Sequence, residues 1–245
     1  MKKIIALLLV LAMVFAFAAC NKTPAQSDPT DASTTNNTEE SKGAEVMTHE
    51  EYIAAAMDSK VVVVTYVQAT QSWWDNKITA YCQSKDGAYY AYEMACSEED
   101  AAKLVAGTKI VITGTKGEWS GEVEIMDATF EFVDGGDTYI AEAFDATALL
   151  GTDDLIKHQN EKVIFKGVTL EKVEYKNGEP GDDIYLTVGY NGASYNFCVE
   201  RYLTDPETDV YKLVATLKVG DVLDIEGFLY WYEGANPHIT AITVK

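Results

Sequence analysis

The chain has 245 residues, a formal charge of −20 and 47% hydrophobic residues, with aromatics at 11%. That apolar content excludes a wholly disordered chain, and the length is enough for one large or two small domains. Residues 1–46 hold four lysines against five acids, so the remainder carries about −19. Nucleic-acid binding draws most of its affinity from basic side chains, so nucleic-acid partners are expected to be disfavoured.

Lys2 and Lys3 open the chain, 4–15 is an apolar run, and Ala16, Phe17, Ala18 and Ala19 precede Cys20. A basic start, a short apolar run and a small-residue cleavage site read as a secretory leader. The run falls short of the ~20 residues that span a bilayer. With its cysteine in place, the segment resembles bacterial lipoprotein signals, Phe17 standing where their Leu-Ala-Gly-Cys-like box carries Leu. The resemblance implies that 1–19 is removed and that lipid, diacylglyceryl with acyl chains such as palmitate, joins Cys20. The mature chain is then expected on the extracytoplasmic face of a cell membrane. Residues 20–46 form the lipidated cysteine and its linker, rich in Asn, Thr, Ser, Pro, Asp and Glu and free of aromatics. Such a segment cannot bury enough apolar surface to offset its ordering entropy, so disorder is expected. As a coil its 26 residues after Cys20 reach on the order of 30 Å.

The rest of the chain repeats itself. Gly107, Ile110, Ile112, Gly114, Trp119 and Gly121 recur as Gly220, Leu223, Ile225, Gly227, Tyr232 and Gly234, all at an offset of 113. Asp86, Gly87, Ala88, Tyr90 and Tyr92 match Asn191, Gly192, Ala193, Tyr195 and Phe197 at an offset of 105. Asp-Gly and Asn-Gly suit two-residue hairpin turns, where both central residues take positive φ. In copy one the pattern predicts a helix at 52–57 behind a Thr48–Glu51 capping box, then strands at 61–68, 78–83 and 88–95. A helix opened by Ser97 and strands at 109–113 and 121–125 complete it. In copy two it predicts a helix at 153–159 behind Thr152, and strands at 163–173, 184–189 and 194–199. A helix opened by Asp205 with Pro206 in its first turn and strands at 222–226 and 238–244 follow. The alternation in 121–125 predicts a strand with one wet face.

Strand, hairpin, helix, hairpin in each copy is the order of the five-stranded OB barrel. With Gly114 and Gly227 ending the fourth strands, 48–132 and 152–245 resemble OB-fold modules. They look most like the uncharacterised tandem OB lipoproteins of Gram-positive bacteria, a family that implies fold and location but no established activity. The expected class is mainly β. Two tandem OB barrels with short helices occupy 47–132 and 152–245, joined by 133–151, whose apolar stretch 144–150 is expected to pack between them.

OB modules bind on the face of strands two and three, between the loops that join strands one to two and four to five. Copy one places Trp73 and Trp74 in the first loop and Trp119 in the second, beside Tyr81, Tyr90 and Tyr92. Copy two offers Tyr175 at its first loop, Tyr195 on its third strand, and Tyr230, Trp231 and Tyr232 at its second loop. Such rings stack on sugars, bases or partner side chains; alternatively Trp73 and Trp74 plug the barrel. Alternation turns those two in opposite directions, so at most one faces a ligand.

No catalytic constellation is visible. His49, His158 and His238 are scattered, no Gly-rich phosphate loop or nucleophile elbow occurs, and no metal-ligand spacing or cofactor motif appears. The acidic turns at 134–137 and 182–183 read as solvated carboxylates, with a weak calcium site as the alternative. Cys82, Cys96 and Cys198 are expected as buried thiols, or as a Cys82–Cys96 disulfide with one thiol left over. The expected function is a non-catalytic, membrane-anchored binding module for an oligosaccharide or cell-wall fragment. The alternative is a scaffolding lipoprotein that contacts a membrane protein complex. Two heads on one tether predict bivalent binding, with avidity from effective concentration.

Overall fold

The computed structural model describes residues 45–245; the leader, Cys20 and the tether to residue 44 lie outside the described residues. The first ordered element is α1 (His49–Ala54). Its capping box is complete: Thr48 Oγ1 accepts the Glu51 N–H while the Glu51 carboxylate accepts the Thr48 N–H at 2.8 Å. Strands β1 (Lys60–Thr70), β2 (Lys77–Gln83) and β3 (Ala88–Ala95) follow, then α2 (Glu98–Ala101), capped by Ser97, and the hairpin β4 (Lys109–Trp119) and β5 (Glu122–Phe132).

These five strands close into a barrel in the order β1-β2-β3-β5-β4. β1 makes both closures: residues 60–66 pair with β4, and residues from 67 onward pair with β2. β3 and β5 run parallel and every other pairing is antiparallel. That order is the OB barrel. The second half repeats it with β6 (Phe144–Asp145), a 3-10 turn (Leu155–His158), β7 (Lys162–Tyr175), β8 (Ile184–Tyr190), β9 (Ala193–Val199), α3 (Asp209–Val214), β10 (Val222–Phe228) and β11 (His238–Val244). Its order is β7-β8-β9-β11-β10, and β10 returns to β7. Both barrels belong to one compact unit.

Each barrel fills itself with alternate strand residues. The first packs Val61, Val63, Ile78, Ala80, Cys82, Tyr89, Ala91, Ile110 and Ile112 around Tyr52 of α1. Tyr52 and Tyr89 meet edge to face at 5.0 Å. The second packs Val163, Phe165, Ile184, Leu186, Val188, Phe197, Leu223 and Ile225, with Tyr211 and Val214 from α3. Lys116 adds a buried polar tie, its ammonium donating to the carbonyls of Tyr52, Ile53 and Ala55 at the end of α1. The α1 helix therefore ends on a cation, as the unsatisfied last carbonyls of a helix favour.

Several expectations change. The second helix of copy two starts at Thr208, whose side chain accepts the Tyr211 N–H; Asp205 and Pro206 lie in a turn before it. The first helix of copy two is the short 3-10 turn named above. The apolar stretch 144–150 does not sit between the barrels, since Ala146 and Leu150 enter the second barrel's core and β6 pairs with β7. The wet face expected over 121–125 does not occur, because Glu122 and Glu124 are both buried; the exposed residues of β5 are Asp127, Thr129 and Glu131 further along.

The hairpin match at an offset of 105 is also off by one. Ile78, Ala80, Cys82 and Ala91 of the first core correspond to Ile184, Leu186, Val188 and Phe197 of the second, an offset of 106. Side chains alternate faces along a strand, so one residue of slip turns Tyr90 and Tyr195 to opposite sides. The two turns differ accordingly. Asn191 and Gly192 take φ of 50° and 80°, as expected, but Asp86 and Gly87 do not take positive φ. Gly87 is required instead because the His49 ring lies where a Cβ would stand. Cys82, Cys96 and Cys198 are free buried thiols, so the Cys82–Cys96 disulfide does not form.

Gly114 does not end its strand, since β4 runs on to Trp119; it and Gly227 lie instead where the ladders of the two hairpins shift register. A Cβ on Gly227 would run into the His238 carbonyl and stand 3.0 Å from the Ile239 Cα, all backbone that cannot yield. Gly227→Ala is expected to cost about 2–4 kcal/mol of stability, measured by urea unfolding. A loss below about 0.5 kcal/mol would refute the close-approach account.

Candidate functional site

The outer faces of the two barrels meet through rings. Tyr81 and Tyr90, on the outer side of β2 and β3, cluster with Phe228 of β10 and with Tyr230 and Leu203. Tyr81 stacks on Phe228 at 4.6 Å, and Tyr90 meets Tyr230 edge to face at 5.3 Å. His238 stacks on Tyr230 at 4.1 Å, and its Nδ1 lies 2.6 Å from the Tyr81 hydroxyl. Burial holds His238 down to about 3, so its ring is neutral, and burial keeps the Tyr81 phenol protonated. The Tyr81 hydroxyl and His238 Nδ1 thus share a hydrogen bond between two neutral groups, while the Gln71 amide donates to the Tyr81 oxygen at 3.2 Å.

Polar contacts close the rest of the seam. Glu122 is 0% exposed, and its Oε2 accepts the Trp231 N–H at 2.8 Å and the Gln159 amide at 3.3 Å. Its Oε1 is buried with no partner. Burial pushes the Glu122 carboxyl well above the usual range, which keeps a proton on it and lessens the cost of burying it. The Gln159 amide also donates to the Gly121 carbonyl, Asn160 to that of Val123, and Ser72 N–H to that of Tyr202 at 2.7 Å.

Beyond this seam the barrels part, leaving a cleft of about 930 Å³. Trp74 and Trp119 stand on its first-barrel side, 79% and 60% exposed, with Tyr92. Tyr202 and Tyr232 stand on the other, both exposed. Local backbone explains the two tryptophans. Asp75 and Asn76 take φ of 49° and 59°, so the chain reverses tightly and Trp74 and Lys77 exchange backbone hydrogen bonds at its mouth. Ser120 and Gly121 take φ of 50° and 94°, a turn of the same kind, with Trp119 paired to Glu122 at its base. A ring at a hairpin mouth has no core to enter.

Of the eleven rings singled out from sequence, Trp74, Tyr90, Tyr92, Trp119, Tyr230 and Tyr232 line this one cleft. Tyr90 does so from below, as part of the buried seam. Trp73 plugs the first barrel, packing on its core with Nε1 donating to the Cys96 carbonyl at 2.9 Å. Tyr175 and Tyr195 pack on the second core, Tyr195 for the register reason above. Trp231 is partly buried on the second core and beside Gly121, so it belongs to the seam. The two faces are not separate heads: they meet in the seam, and both barrels line this cleft.

Arg201, Tyr202 and His238 are among the lining residues that the sequence reading did not place at the site. Arg201 and Tyr202 follow β9, in a turn that Glu200 ties by accepting the N–H groups of Tyr202 and Leu203. A signal existed for Arg201, which is the single arginine of the chain. The other cations of the cleft are paired, Lys77 with Glu93 at 2.7 Å and Lys176 with Asp183 at 2.9 Å. The Cys198 thiol is buried, and burial raises it, so it stays protonated. Among the described residues no group of three His, Cys, Asp or Glu side chains is placed to hold a metal ion.

No family model matches the chain, and no curated protein does. Solved structures share the arrangement of strands at low identity. A murine DNA-binding protein bound to double-stranded DNA is 11% identical, with a TM-score of 0.37 over 75% of this chain and 94% of that one. The HINa domain of Ifi202, in complex with a 20-base-pair duplex, is 13% identical, with a TM-score of 0.34 over 78% and 97%. A replication protein A heterotrimer bound to single-stranded DNA is 12% identical, with a TM-score of 0.32 over 79% and 51%. These proteins hold DNA, so the expectation that nucleic acid is disfavoured as a partner is withdrawn.

The buried glutamates give the fold a pH dependence. Burial raises Glu124 and Glu200 from 4.5 to about 7, and raises Glu122 as well. These three carboxyls bind more protons in the folded than in the unfolded state between about pH 4.5 and 7 and outweigh His49 and His238, whose lowered values oppose them below 6.5, so stability falls as pH rises through that window. The depressed carboxyls, such as Asp100 and Asp137, act below it. The urea midpoint is expected to be higher at pH 5 than at pH 7.5, and Glu124→Gln with Glu200→Gln to flatten the slope. A wild-type midpoint that rises with pH across the window contradicts this.

Proposed function

We propose that the chain is a membrane-anchored, extracytoplasmic lipoprotein whose folded part is a non-catalytic binding module, with an oligosaccharide or cell-wall fragment in the cleft between the barrels. The observation that carries this reading is the ring-lined cleft: Trp74, Trp119, Tyr92, Tyr202 and Tyr232 stand exposed around it. Exposed rings of that size in one concavity are costly in water unless a ligand covers them. Flat faces interspersed with amide and carboxylate groups, here Gln71, Asn236 and Asp183, match a sugar's apolar faces and hydroxyl edges. The cleft has the size of small-ligand sites.

The titratable groups of the cleft do not offer a free nucleophile–base pair. His238 is neutral and engaged by Tyr81, and Cys198 is a protonated thiol. This supports holding a ligand over transforming it. The location rests on the leader and Cys20, both outside the described residues. No helix among the described residues is long and apolar enough to cross a membrane, so the reading assigns attachment to the lipid.

Two experiments test this. Trp74→Ala together with Trp119→Ala is expected to weaken oligosaccharide binding about tenfold or more, read by glycan array and calorimetry. The thermal midpoint should hardly move, because neither ring enters a core. Undiminished binding by the double variant would remove the cleft from the reading. Separately, Cys20→Ser is expected to abolish incorporation of an alkynyl fatty acid and to release the chain from the membrane fraction. Wild-type chain that takes up no label refutes the anchor.

A further inference from the structure

Arg201 is the single arginine among the 19 cationic Lys and Arg side chains of this acidic protein, and it lines the cleft. The acids around it are occupied. Glu200 points Oε1 and Oε2 at the N–H groups of Tyr202 and Leu203. Asp183 engages Lys176 and accepts the backbone N–H of Arg201 itself. Asp182 accepts from the Asn177 amide and the Asp183 N–H, with Lys176 at 3.6 Å. Glu93 belongs to Lys77.

Among the described residues Arg201 has no ion-pair partner, and its Nε is buried without any hydrogen bond. The guanidinium carbon stands 5.1 Å from the Tyr202 ring, which supports the plane of the group. A guanidinium stays charged at every relevant pH and presents a planar fork of donors that fits a carboxylate with two parallel hydrogen bonds. The Nε is shielded from the cleft, but the terminal nitrogens of the fork are not buried and have no hydrogen-bond partner among the described residues, so they are the donors left open where Arg201 lines the cleft.

We propose that the cleft takes an oligosaccharide bearing a carboxylate, as uronic- and muramic-acid sugars do, with Arg201 anchoring that carboxylate and the rim rings stacking the neighbouring sugars. The inference rests on the saccharide reading above and adds the acidic group to it. Lys77 and Lys176 are already paired. The cleft thus offers one open cation, which fits a ligand with one acidic group within reach.

A sole arginine gives the test a direct reporter. Full chain in detergent micelles, labelled with 15N-arginine, shows one Nε–Hε resonance. The probes are an array of uronic- and muramic-acid oligosaccharides, each beside its neutral carboxyl methyl ester, and a short oligothymidylate. Tryptophan fluorescence reports cleft occupancy through Trp74 and Trp119, independently of the arginine. An acidic oligosaccharide is expected to quench fluorescence and shift the Nε–Hε signal, with its methyl ester bound about tenfold more weakly. Arg201→Lys, which keeps the charge but not the fork, and Arg201→Met should both reduce the difference between acid and ester at an unchanged thermal midpoint. Acid and ester that quench equally while the arginine signal stays still overturn the anchor and leave the saccharide reading standing. If oligothymidylate alone shifts both signals, the ligand is a nucleic acid and both readings fail. If no probe quenches fluorescence, the saccharide reading fails and takes the inference with it.

Discussion

The stack of Tyr81 on Phe228, continued through Tyr230 and His238, is the constraint on which the rest of the site depends. Each barrel has its own core and its own closed ladder, so neither needs the other to bury its interior. What they share is a seam of outward rings, from the face an isolated OB module would present to a ligand. Joining there fixes one barrel against the other and leaves the loop ends to frame a cleft. The hydrogen bond between Tyr81 and His238, at 2.6 Å, supplies direction to a contact that rings alone would leave free to slide.

Much of the fold was legible because it rests on local chemistry. The Thr48–Glu51 box and the Ser97 cap announce their helices through short-range hydrogen bonds. The glycines at an offset of 113 mark bulges, and the fourth-strand aliphatics between them hold their register in both barrels. The third strand misled because Asp86-Gly87 and Asn191-Gly192 look alike while closing different turns. With a period of two, one residue of slip moved Tyr195 from a binding face into a core. No local pattern distinguishes the glycine that permits positive φ from the one that makes room for His49.

The site was legible in its rings but not in its assembly. Trp74, Trp119 and Tyr232 could be named because aromatic residues at hairpin mouths stand out in sequence. Glu122 and Glu124 were misread for the opposite reason. Alternation of glutamate with valine and isoleucine ordinarily marks a strand face in water, and only tertiary contact shows that a second barrel covers it. The pKa shifts follow from the same burial: carboxyls placed for a wet face meet a dry one and keep their protons. Trp231 was chosen as an exposed ring and lies in the seam, because its backbone N–H is the donor that Glu122 requires.

Duplication explains why this arrangement yields one asymmetric cleft rather than two alike. The barrels descend from one pattern, yet Trp73 and Trp74 of the first loop in copy one have no tryptophan counterparts in copy two, and Arg201 has no arginine counterpart in copy one. Joined face to face, the two copies bring these differences to opposite walls of a common space. The first barrel supplies Trp74, Tyr92 and Trp119, and the second supplies Arg201, Tyr202 and Tyr232. A ligand seated between them would meet apolar rings on both sides but an unpaired cation on one only. The seam that holds Tyr81 against Phe228 sets the spacing of these two walls.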